Sequence, residues 1–126
     1  MNDTEILRES RNLLLKLHKS LVDHERATYE AFNGKTSSTE FLNLLLNNQD
    51  LEWLRRFSTL IVDIDEMFAQ KDGFADEQIS AHLDRMRELV AIDADDDGYF
   101  QAKYRLALQN DLDAAAFQAE LKKLLR

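Results

Sequence analysis

The sequence predicts an all-α fold, an up-and-down helical bundle of four main helices with one or two short additional helices, and three observations carry that prediction. The stretch LEWLRRFSTLIVDIDEMF (51–68) places Trp53, Phe57, Leu60, Ile61, Ile64 and Phe68 at three- and four-residue spacing, which puts them on one helix face about five turns long. Nowhere do apolar and polar residues alternate between turn signals in the way a half-buried strand requires. Proline is absent, and the three glycines, Gly34, Gly73 and Gly98, each fall at a predicted helix boundary. Residues 1–126 read as a single all-helical domain, long enough to bury roughly two-thirds of the surface its unfolded chain exposes.

The first helix is expected over residues 4–32, capped by Asp3 or Thr4. Leu7, Leu14, Leu17, Leu21, Thr28 and Phe32 fall along one face, with Ile6, Leu13 and His24 on its shoulder. Such a helix is roughly 40 Å long and is the expected long partner of the 51–68 helix. Asn33-Gly34 stops it, and residues 35–39 form a polar link. A short helix over 40–46, capped by Ser38 or Thr39, is apolar almost all round through Phe41, Leu42, Leu44, Leu45 and Leu46, which predicts burial from several sides.

Asp50 is the expected N-cap of the central helix. Leu54 broadens its apolar stripe and Val62 lies on its opposite side, so contact from more than one direction is expected. Lys71-Asp72-Gly73 ends it and Asp76 caps the next helix, in which Ile79, Leu83, Met86 and Val90 make a narrower stripe flanked by His82, Arg87 and Leu89. This helix is expected to be more exposed than the first and the central one. Beyond the acidic run 93–98, Phe100, Tyr104, Ala107 and Leu108 mark a further helix. After Asn110-Asp111 the last helix turns Ala114, Phe117, Leu121, Leu124 and Leu125 inward, a continuous bent helix being the alternative.

Composition narrows the function classes. With no cysteine, disulfides, thiolate metal sites and thiol nucleophiles are excluded. A formal charge of −8 repels nucleic acid and anionic membrane at long range, so neither is an expected partner. The densest basic cluster, Lys122, Lys123 and Arg126, sits at a helix C-terminus, where cations suit the helix dipole. No apolar run approaches the ~20 residues of a membrane span, and charges interrupt the first turns where a signal peptide needs an apolar centre, so the expected location is the cytoplasm.

Two constellations could carry chemistry. Asp93-Ala94-Asp95-Asp96-Asp97-Gly98-Tyr99-Phe100 resembles the opening of an EF-hand calcium loop: Asp93, Asp95 and Asp97 match the three carboxylates, Gly98 the turn, and Phe100 the apolar position. The twelfth position, where the family has a bidentate Glu, is Tyr104, so only weak calcium binding is expected if the loop binds at all. The simpler reading is an acidic linker in which Asp96 or Asp97 caps the next helix.

The second constellation centres on Glu25, which falls on the apolar stripe of the first helix with His18 near its edge. A carboxylate there must be paired, hydrogen-bonded or neutralised. An ion pair with Arg56 of the central helix is the first expectation. The alternative is a metal or small-ligand site between the first and third helices, to which Asp63 or Asp65 contributes. No Glu-x-x-His occurs, so the ligand pattern of carboxylate-bridged di-metal bundles is missing. Phosphate-cradling glycine loops and dinucleotide fingerprints are missing too, and Ser10, Ser20, Ser58 and Ser80 lie inside predicted helices, away from any strained turn.

The stretches LLLKLHKSLVDHERATYE, LEWLRRFSTLIVDIDEMF and KYRLALQNDLD resemble a family of small, uncharacterised bacterial all-helical proteins over nearly the whole length. The resemblance implies a bacterial single-domain protein of the cytoplasm and brings with it no activity, cofactor or site residue. The resulting expectation is a non-enzymatic helical-bundle protein, without a cofactor, that acts through protein–protein contacts, its own dimer included. The apolar segment 41–46 and Val62 are the surfaces that suggest it.

Overall fold

The computed structural model describes residues 1–126 and contains helices only. These are α1 (Asp3–Asn33), α2 (Ser38–Asn47), a 3₁₀ segment (Gln49–Leu54), α3 (Arg55–Phe68), α4 (Asp76–Val90), α5 (Tyr99–Asn110) and α6 (Leu112–Leu124). The predicted helices are all present, and a break at Asp111 separates α5 from α6. There the Asp111 carboxylate accepts hydrogen bonds from the Asp113 and Ala114 N–H groups, satisfying donors that a helix start leaves unpaired.

Other helix starts use caps different from those expected. Asn2, not Asp3 or Thr4, accepts from the Glu5 N–H at 2.9 Å. Ser37, one residue before the expected Ser38, accepts from the Glu40 N–H. Ala75 precedes α4, and the Gln78 side chain accepts from its N–H, so Asp76 is already inside the helix. Asn48 rather than Asp50 opens the central segment by accepting from the Asp50 N–H at 2.8 Å. At α1, α2 and the central segment a side chain one or more positions upstream reaches the free N–H, leaving the expected cap within the first turn, whereas at α4 the bond comes from Gln78 inside the helix.

The predicted 51–68 helix divides. Its first residues wind as a 3₁₀ helix, whose three residues per turn align Leu51 with Leu54; both are buried, as is Trp53. From Arg55 onward the α-helical stripe Phe57, Leu60, Ile61, Ile64 and Met67 is buried, with Phe68 partly covered.

α1 packs along α3, α4 and α6, most extensively along α6. Residue pairs give the directions. His18 of α1 lies beside Phe57, Arg11 bonds Asp65, and Arg8 sits over Phe68, so α3 runs against α1. Asp63 meets Arg85 on α4, while Gln118 of α6 donates to the Val90 carbonyl and Arg87 of α4 to the Leu125 carbonyl, so α6 runs against α4. One core joins Leu7, Leu14, Leu17 and Leu21 to Trp53, Phe57, Ile64, Leu83, Met86, Tyr104 and Leu121. The aromatic part of it, Trp53, Phe57, Phe100 and Tyr104, links the 3₁₀ segment and α3 to α5, with ring centroids 5.4–6.5 Å apart.

The α4 stripe Ile79, Leu83, Met86 and Val90 is buried against α1, α3 and α6, while Asp84, Arg85, Arg87 and Glu88 on its other faces are exposed, so α4 is a narrow-striped, more open helix as the spacing predicts. Two expectations about burial fail. Val62 is half exposed, with no element covering the back of α3. Thr28 and Phe32 are exposed, Phe32 by 86%. α1 has 31 residues against 14 in α3 and 15 in α4, so its last turns run beyond the helices that cover its middle.

Candidate functional site

Glu25 occupies the α1 stripe as the spacing requires, only 7% exposed, but its partner is not Arg56. The Lys103 ammonium of α5 approaches its carboxylate at 3.3 Å. One turn before Lys103 on α5, the Tyr99 hydroxyl donates to the Asp50 carbonyl at 2.8 Å, so the start of α5 is tied both to α1 and to the 3₁₀ segment. Burial raises the Tyr99 phenol above its ordinary pKa, which keeps it a donor. Arg56 turns away, its guanidinium 4.4 Å from the centre of the Phe100 ring.

The other predicted site residues separate. Asp65 accepts both nitrogens of a bidentate contact from Arg11, at 2.9 and 2.8 Å. That fork raises the Arg11 pKa further, the hydrogen bond being the main cause. Asp63 lies on another side of α3 and pairs with Arg85 at 3.0 Å. Two residues apart on a helix means about 200° of rotation, so the two carboxylates face different neighbours. His18 lies beside Phe57 with its pKa lowered by burial, an apolar setting that favours the neutral ring. His18, Glu25, Arg56, Asp63 and Asp65 therefore do not converge, and no three His, Asp or Glu side chains anywhere gather closely enough to hold a metal ion.

The acidic loop is organised by its own hydrogen bonds. Asp93 accepts from the Asp95 N–H and Asp96 from the Gly98 N–H, so no aspartate side chain caps α5 itself. The Asp93 N–H donates to Gln101, whose amide in turn donates to the Ala91 carbonyl, and the Arg105 guanidinium donates to the Asp93 carbonyl at 2.6 Å. Asp93, Asp95 and Asp97 do not close on a common centre. Tyr104, at the position that would complete a calcium loop, is fully buried in the core. Its hydroxyl has no hydrogen-bond partner within the protein.

α2 is the least enclosed helix. Its inner side is pinned by Phe41, 3% exposed, between Tyr29 and Arg26 of α1. Arg55 donates to the Leu45 and Leu46 carbonyls, satisfying acceptors that a helix end leaves free. Leu42 and Leu46, one turn apart on the outer side, are 55% and 58% exposed. The segment 41–46 is thus apolar all round in sequence but covered on one side only.

Sequence reasoning missed Lys103, Gln101, Gln118 and Arg55, the side chains that bind one helix to another. Gln101 and Gln118 sit on buried stripes where spacing alone reads a polar interruption, and nothing in the sequence says that α5 crosses α1 at Glu25. Comparison of the chain with family models, curated proteins and solved structures finds no match. No helix is long and apolar enough to cross a membrane.

Proposed function

We propose that this chain is a non-enzymatic protein that works through protein contacts, with a second copy of itself as the partner and the outer face of α2 as the contact. The supporting observation is the pair Leu42 and Leu46, exposed one turn apart on a helix whose only charged residue is Glu40. In a chain of net charge −8 two copies repel over most of their surfaces, and a nearly neutral apolar face is where approach costs least. Antiparallel packing of two α2 helices across a twofold axis sets the leucines of one against those of the other. In this reading α1, α3, α4 and α6 form an up-and-down four-helix bundle. α2 and the 3₁₀ segment are inserted between its first two helices, and α5 between its last two.

The magnitude decides how strong such a contact is. Covering a half-exposed leucine contributes about 1 kcal/mol, so four give about 4 kcal/mol, at the lower edge of what association costs in lost freedom. The four leucines alone thus no more than offset that cost, and the dimer, completed by the residues flanking them on α2, is weak, with dissociation at millimolar concentration or above. Sedimentation equilibrium carried up to millimolar protein is expected to show mass rising above 14.7 kDa. The double variant Leu42→Glu/Leu46→Glu is expected to stay monomeric with unchanged helical circular dichroism. A wild-type monomer throughout, or an unaltered dimer in the variant, overturns the proposal. The three stretches that resemble small bacterial helical proteins support a cytoplasmic setting.

A further inference from the structure

Asn33 is the only asparagine of the chain followed by glycine; the others precede leucine, glutamine, aspartate or another asparagine. An asparagine side-chain amide is open to attack by the backbone nitrogen of the next residue, and a glycine there leaves that nitrogen unhindered because it has no Cβ. Gly34 sits at φ +85°, and a Cβ on it would meet nothing within 4 Å. Residues 31–35 are all exposed, Phe32 by 86%, so solvent reaches the pair and no packed side chain holds the last turn of α1.

Hydrogen bonds hold it instead. Asn33 Nδ2 donates to the Tyr29 carbonyl at 3.0 Å and the Gly34 N–H to the Glu30 carbonyl at 2.9 Å, so the amide and the nitrogen that attacks it are each engaged with the preceding turn. Both bonds must open before the two groups meet. Just beyond, the chain is fixed again: the Thr36 N–H and hydroxyl donate to the Glu30 carboxylate at 2.6 and 3.0 Å, and Arg26 donates to the Thr36 carbonyl at 2.7 Å. The segment free to unwind is therefore the last turn of α1 with Lys35, and a fraying helix end opens at far lower cost than the core.

We propose that Asn33 is a site of spontaneous self-modification, converted to aspartate and isoaspartate at a rate set by unwinding of the last turn of α1. The Gly34 nitrogen, its proton taken by solvent base, attacks Asn33 Cγ. A new N–Cγ bond closes a cyclic imide as the Cγ–Nδ2 bond breaks, and the side-chain nitrogen leaves as ammonia carrying that proton. Water then opens the imide at either carbonyl, so the balance is water consumed and ammonia released, with no oxidant or cofactor. The product places a further negative charge at a helix C-terminus, where the dipole disfavours it, and takes one donor from the Tyr29 carbonyl. In the isoaspartate form the main chain is also longer between α1 and Thr36, whose bonds to Glu30 and Arg26 seat the start of α2.

Trypsin releases the pair in the peptide 27–35, which Arg26 precedes and Lys35 ends. After incubation of the full chain at mildly alkaline pH, mass spectrometry of the digest is expected to show that peptide gaining ~1 Da and dividing into two chromatographic forms, the other asparagine-containing peptides staying unchanged. The synthetic 27–35 peptide should convert about tenfold faster, since it lacks the two hydrogen bonds that must open. Ala31→Gly, at an exposed position in the last turn, should speed conversion in the full chain about fivefold, with circular dichroism confirming the fold. Asp111→Ala, which weakens the fold at the break between α5 and α6, should leave the rate unchanged. An unmodified 27–35 segment in the folded chain while the free peptide converts, conversion at the free peptide's rate, or equal acceleration by the two substitutions overturns the proposal.

Discussion

Glu25 shows how a single residue can be legible in sequence while its partner is not. Its position on the α1 stripe follows from angular spacing and requires compensation, and Lys103 supplies it at 3.3 Å. Removing the lysine strands a carboxylate that is 9% exposed, whereas Lys103 itself is 26% exposed, so water softens the loss. Lys103→Met is expected to cost about 2 kcal/mol in urea unfolding, and Glu25→Gln added to it to recover more than half. A lysine variant as stable as the wild type contradicts this account.

The histidines give a second prediction at the same scale. Burial lowers the pKa of His18 below 6.5 and, with the nearby Arg85 cation, that of His82, against which the Asp63 carboxylate acts only partly. A lowered folded pKa means that the unfolded chain takes up the protons first as the pH falls. Stability is therefore complete above pH 6.5 and declines as the pH drops from there through the folded values. Chemical denaturation at a series of pH values should show this slope, and His18→Gln/His82→Gln should flatten it.

Among the elements, the helices themselves were plain from apolar spacing, but their first residues were not. Asn2, Ser37 and Asn48 cap helices where Asp3 or Thr4, Ser38 or Thr39, and Asp50 are expected, because several adjacent polar residues in each link are competent and only the path of the chain selects among them. The divide at Asn110-Asp111 is legible because it interrupts two long helical patterns, and the chain path selects Asp111 rather than Asn110 or Asp113 as the cap. Asp111→Ala is expected to lower stability by about 1 kcal/mol, read as a fall in melting temperature, whereas Asp97→Ala should leave it unchanged. The 3₁₀ winding of Gln49–Leu54 was hidden for a different reason. Leu51, Trp53 and Leu54 are compatible with either helix, and the choice falls to the aromatic neighbours Phe57, Phe100 and Tyr104.

For the molecule as a whole, α6 matters more than its modest amphipathicity suggests. Ala114 and Leu121 are fully buried against a core that includes Leu7 and Leu14, and Gln118 and the Leu125 carbonyl tie α6 to α4. A chain ending at residue 111 is expected to lose cooperative unfolding altogether, since the longest face of α1 is then bare. A sharp thermal transition in that truncated chain shows instead that α1, α3 and α4 suffice.

The sequence by itself determined the helical class, the buried stripes of α1 up to Glu25, of α3 and of α4, and the need to compensate Glu25, because all three follow from periodicity of 3.6 residues and the cost of burying charge. Only the tertiary structure decided that Lys103 rather than Arg56 meets Glu25, that Asp63 and Asp65 go to separate arginines, and that Leu42, Leu46 and Val62 are left uncovered. Spacing states which side of a helix a residue takes. It is silent on which helix, if any, lies opposite, and that depends on chain path and on helix lengths as unequal as those of α1 and α3.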